Sequence, residues 1–137
     1  MIQQIQIVGI ALILLALLHL IFPKYFNWKK ELAGLSVINR EMMIVHTFFI
    51  ALTVLLMGVL CISSANELTE TTLGKRLAAG IGLFWFIRWI VQFTGYSSVN
   101  WKGKRFETAV HVFFSLFWIY VTGLFWWVAF SRGIRLE

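Results

Sequence analysis

Charge is scarce in this sequence. Only 13% of its 137 residues are Asp, Glu, Lys or Arg, about half of the roughly 25% in a soluble domain. That is too little to cover a globular surface in water. Cysteine is almost missing too. The single Cys61 excludes an intramolecular disulfide framework and, inside an apolar run, reads as a small hydrophobe. One proline, ten glycines and 17% aromatic residues exclude collagen-like and disordered chains. A Gly-rich phosphate loop, a serine nucleophile elbow, a cysteine pair and a carboxylate pair within an apolar run are all lacking, so the chemistries they serve find no support.

What the chain has instead is long hydrophobic runs. A bilayer core needs about 20 apolar residues as a helix. Four stretches qualify: Ile5 to Phe22, Met42 to Ile62, Leu77 to Tyr96 (interrupted by Arg88) and Thr108 to Phe130. They are apolar all round, whereas a soluble bundle would show polar outer faces. Backbone groups in lipid must be satisfied internally, so helices are expected. The expected fold is an all-α integral membrane protein: a single four-transmembrane-helix bundle over residues 1–137. Trp28, Leu32, Leu35 and Ile38 share helical spacing between the first two spans and predict a short interfacial helix there. Tyr25, Trp28, Tyr96 and Trp101 are expected as interface anchors. Gly80 and Gly82 are expected to permit close helix packing.

Lys and Arg set the orientation. Lys24, Lys29, Lys30, Arg40, Lys102, Lys104 and Arg105 fall on one side; Lys75, Arg76, Arg132 and Arg135 fall on the other. The positive-inside rule puts the richer side in the cytoplasm and both termini outside, in an inner or plasma membrane. The first run has no cationic start and no small-residue cleavage site after it, and reads as a retained span. The net charge of +6 then means attraction to anionic head groups on the basic side. Nucleic acid is a poor partner, because the basic residues flank spans. A membrane protein partner or a second copy is compatible with the aromatic fourth span.

The chain also resembles itself. Arg40, Val45, His46, Phe48 and Phe49 recur in register as Arg105, Val110, His111, Phe113 and Phe114, and Asn27, Trp28, Lys29 recur as Asn100, Trp101, Lys102. This predicts two hairpins related as parallel repeats. It also predicts that His19, His46, Gln92 and His111 lie at one depth. Each is four or five residues from a boundary residue (Pro23, Glu41, Tyr96, Glu107), about 6–8 Å at 1.5 Å per residue. Polar side chains in spans face the bundle interior, so the four are expected to converge.

Such a layer suits haem b or a single transition metal ion (Zn, Cu or Fe), since imidazole serves both. In the haem version His46 and His111 are the axial ligands and Arg40 and Arg105 hold the propionates. In the metal version His19, His46 and His111 ligate, with Gln92 or water as the fourth group, and Glu107 orients His111. Arg88, two turns inside the third span, is costly there and is expected to meet an anionic group, to bond Gln92, or to lie against Trp85. Electron transfer or membrane oxidoreductase activity follows from the cofactor version. The alternatives are a proton or small-solute carrier gated by the histidines, and an accessory subunit in which the layer only bridges helices.

Overall fold

The computed structural model describes residues 1–131; Arg132 and Arg135, used above for orientation, lie outside the described residues. The described chain is helical, and it divides into two compact units, Ile2–Ala65 and the part from Asn66 onward.

The first unit is a hairpin of α1 (Ile2–Leu18) and α4 (Val37–Ser63), joined through the single turns α2 (Phe22–Tyr25) and α3 (Trp28–Glu31). In α1, Ile5, Val8, Gly9, Leu12, Leu15 and Ala16 are buried, at spacings of three and four that make one stripe. In α4 the stripe is Ala51, Val54, Gly58 and Cys61. The two helices meet most closely at Gly9 and Gly58. A Cβ on Gly9 would stand 2.8 Å from the Gly58 carbonyl oxygen and 2.9 Å from the Cys61 Cβ, so only glycine lets the backbones approach this far. The remaining faces, with Ile7, Ile10, Leu14 and Leu17 exposed on α1 and Phe48, Phe49, Ile50 and Leu56 on α4, are apolar as well. Such helices need a second apolar environment outside the hairpin.

The first helix ends earlier than the run that predicts it. It stops at Leu18, not near Phe22. Pro23, at the start of α2, has no N–H to give and its ring clashes with the carbonyl four residues back. The interfacial helix expected over Trp28 to Ile38 is cut to the single turn Trp28–Glu31, followed by a non-helical turn over residues 32–35. Asn27 takes a left-handed conformation, φ 49°, which Asn tolerates better than most residues. It separates α2 from α3, and Ile38 already belongs to α4.

The second unit holds α5 (Ala65–Glu70) from its second residue on, α6 (Thr72–Thr94) and α7 (Arg105–Phe130), with a 3-10 turn at Ser98–Asn100. The Thr71 hydroxyl accepts from the Gly74 N–H at 2.9 Å, satisfying one free donor of the first turn of α6. Gly82 is the close-packing glycine expected from sequence, with the Trp126 indole lying against it, whereas Gly80 faces open space. The buried residues of α7 all lie from Trp118 onward. Nearer its start the hairpin is bridged by polar groups. At the far end Lys75 Nζ donates to the Ser131 carbonyl at 2.9 Å.

Helices α4, α6 and α7 have the length and composition to cross a bilayer. At 27, 23 and 26 residues they are about 40, 35 and 39 Å long, against a hydrocarbon core of about 30 Å. Helix α1 is apolar but shorter, 17 residues.

Candidate functional site

The polar residues singled out by sequence sit at the ends of the helices that carry the basic connections. In the second hairpin they form one bonded group. Arg88 on α6 donates to Gln92 Oε1, one turn further on, at 3.0 Å. Gln92 Nε2 contacts His111 Nδ1 on α7 at 2.9 Å. Guanidinium only donates, so Arg88 holds the carbonyl oxygen of Gln92 toward itself and turns the amide N–H₂ toward His111. His111 Nδ1 must therefore accept, and the neutral ring carries its proton on Nε2. Gln92 is buried, 7% exposed, so this geometry is held by packing as well as by bonds. Glu107, expected to orient His111 from one turn away, is exposed and is replaced in that role by Gln92.

The surroundings are aromatic. The Trp101 ring lies flat on His111, centroids 4.0 Å apart and planes at 7°. Phe93 meets the same imidazole edge-on at 5.6 Å. The stack is set by Thr108, whose hydroxyl donates to the Trp101 carbonyl at 2.7 Å and ties the loop back to α7. The Arg88 guanidinium lies 5.4 Å from the Trp118 ring centre and 5.7 Å from that of Tyr96, within cation–π range. The aromatic partner is therefore not Trp85, as helical spacing suggested. Trp85 stacks on Trp118 instead, at 4.6 Å and 6°. Among the described residues of this hairpin no carboxylate pairs with Arg88.

The histidines of the first hairpin are arranged differently. His46 Nδ1 is 2.7 Å from the Met42 carbonyl oxygen, and His19 Nδ1 is 2.8 Å from that of Leu15. A carbonyl only accepts, so both rings donate from Nδ1, and it is the neutral ring that leaves the Nε2 lone pair open. That is the tautomer of a ligating histidine whose other nitrogen is oriented by a backbone carbonyl. His46 is exposed on α4; His19 is half-buried in the turn past the end of α1, where it satisfies one of the free carbonyls of that helix and lies 4.8 Å from the Phe22 ring. Arg40 lies on the first turn of α4, half-buried, and Arg105 begins α7, exposed.

The structure thus brings together Arg88, Gln92 and His111 in one hairpin, and sets His19, His46 and Arg40 in the other. Among the described residues no three His, Cys, Asp or Glu side chains are grouped to hold a metal ion. Trp101 and Trp118, the aromatic walls of the Arg88 group, were not legible as such. Trp101 comes from a loop and Trp118 from the neighbouring helix, so spacing along α6 carries no trace of either. Three buried polar atoms, Trp85 Nε1, Trp118 Nε1 and Thr122 Oγ1, have no hydrogen-bond partner among the described residues. Comparison of the chain with protein-family models, with curated proteins and with solved structures finds no match.

Proposed function

We propose that the chain is a small integral membrane protein that binds a carboxylate-bearing amphiphile at the basic end of its second hairpin. Arg88 supplies the cation and the Nε2–H of His111 a neighbouring donor. The observation that carries this reading is the state of the Arg88 guanidinium. It is half-buried, fixed by Gln92 and two aromatic faces, and unneutralised by any carboxylate among the described residues of its hairpin. A cation kept within a span costs several kcal/mol or more, and an anionic ligand head would offset that cost. Proton carriage has less support: protonating His111 Nδ1 would set an N–H against the Gln92 amide N–H. The four-span arrangement and the kinship of the two hairpins belong to the same reading and rest on the sequence match between the starts of α4 and α7.

A second reading concerns the first hairpin and a cofactor. The open Nε2 atoms of His19 and His46 suit haem iron or a single Zn, Cu or Fe ion. Arg40, six residues before His46 on the same helix, suits a propionate. His111 would have to give up the Gln92 donor before ligating.

The test is purification in mild detergent, an absorption spectrum, metal analysis, and mass spectrometry of an organic-solvent extract. The expected result is a bound carboxylate-bearing species that is lost in Arg88→Gln and kept in Arg88→Lys. A Soret band that survives Arg88→Gln but not His46→Ala would favour the second reading. Freshly prepared protein that yields no carboxylate-bearing species overturns the first, and the absence of both a Soret band and metal overturns the second.

A further inference from the structure

The side of α7 turned away from α6 is not a plain apolar surface. His111, Trp118, Thr122 and Phe125 share one side of the helix at about 100° per residue. Roughly a third of a turn away runs a shallow, open face of α7 that carries Lys104, Arg105, Ala109, Val112, Phe113 and Leu116 among others. Its charge is all at one end. Lys104 is the residue before the first turn of α7 and makes no side-chain cap bond. Arg105 has no ion pair among the described residues. Glu107, the one acidic residue of this turn, lies on the side of the helix opposite Arg105 by the same spacing, and one turn on from Lys104. Thr108, also on this face, has its hydroxyl donated to the Trp101 carbonyl. From there on the lining is aliphatic and aromatic, and Ala109 is the small residue between Arg105 and the bulk of Val112 and Phe113.

We infer that this face binds one anionic phospholipid, with its phosphate at Lys104 and Arg105 and an acyl chain laid along Ala109, Val112, Phe113 and Leu116. Two quantities match. From Lys104 to Leu116 is twelve residues, about 18 Å of helix, and one leaflet of the hydrocarbon core is about 15 Å deep. The cations lie at the head-group end of that length and nowhere else along it. The charge complementarity commits the face to a lipid of negative head group. This inference is independent of the Arg88 reading, because Arg88 and Gln92 lie on the other side of α7 and are left untouched by the test.

The test uses the full chain in nanodiscs of equal phosphatidylglycerol and phosphatidylcholine, followed by native mass spectrometry. The wild-type protein is expected to retain one phosphatidylglycerol in preference to phosphatidylcholine. The double substitution Lys104→Gln, Arg105→Gln is expected to lower that preference about 30-fold, the size that follows from removing two cations near a membrane surface. Equal retention of the two lipids, or a preference that survives the double substitution, overturns the inference. A photo-reactive side chain at Val112, which leaves the fold intact because the position is exposed, is expected to cross-link to lipid. Cross-linking to a second copy or to another segment of the chain overturns it.

Discussion

Gln92 hands its amide N–H to Nδ1 of His111 across 2.9 Å, and in doing so decides which imidazole nitrogen bears the proton. The decision is made one residue earlier in the relay, because Arg88 turns the amide. In Gln92→Leu both tautomers of His111 are expected in nitrogen NMR of histidine-labelled protein. Stability is expected to fall by about 1 kcal/mol, within the range of interhelical hydrogen bonds in membranes. Gln92→Glu is expected to do the reverse: its carboxylate pairs with Arg88 and accepts from Nδ1–H, leaving Nε2 open. A wild-type spectrum dominated by Nδ1–H would contradict the relay.

The flat contact of Trp101 with His111 predicts an upfield ring-current displacement of the His111 ring protons. Trp101→Leu is expected to abolish it. Thr108→Val is expected to reduce it without touching either ring, because only the tether to the Trp101 carbonyl is lost. Aromatic stacking of this kind is worth about 0.5–1.5 kcal/mol, so both substitutions lower the unfolding midpoint modestly.

Close approach at Gly9 and Gly58 makes Cys61 a reporter of the first hairpin. Cys61 is fully buried and lies where a side chain on Gly9 would intrude. In the folded protein it is expected to resist a maleimide reagent. Gly9→Leu is expected to expose it and to cost about 1–3 kcal/mol by overpacking. Gly80→Ala, at a position with open space around it, is the matched control and is expected to leave both labelling and stability unchanged.

Thr122 offers a prediction in the other direction. It is buried, 1% exposed, and its hydroxyl has no partner among the described residues. Thr122→Val removes the unsatisfied oxygen at nearly constant volume, so stability is expected to hold or to rise by up to about 1 kcal/mol. A large loss on denaturant titration would mean that the hydroxyl has a partner after all.

The long helices were legible because apolar runs of spanning length leave the backbone one way to satisfy itself. Their ends were less so. Helix α4 starts at Val37 because a helix leaving the apolar zone continues through Asn39, Arg40 and Glu41 until Ser36 stops it. His19 falls outside α1 because Pro23 acts on the turn before it, an effect that hydropathy does not register. Within the site, the pairing of Arg88 with Gln92 was readable from a spacing of four on one helix. The partnership of Gln92 with His111, and the choice of Trp118 over Trp85, depend on how two helices are rotated against each other. A one-dimensional pattern has no record of that rotation.

The two hairpins are fastened in different ways. In the second, Lys75 reaches the Ser131 carbonyl at one end while Gln92 grips His111 near the other, with stacked indoles between them. In the first, His19 and His46 bond back to their own backbones, and the close approach is glycine on glycine. The second hairpin is thus clasped at both ends by polar bonds. The first is keyed by shape: a shift of one rod along the other would drive a neighbouring side chain into the notch that Gly9 and Gly58 leave, so its register is kept by steric fit where the second relies on polar bonds.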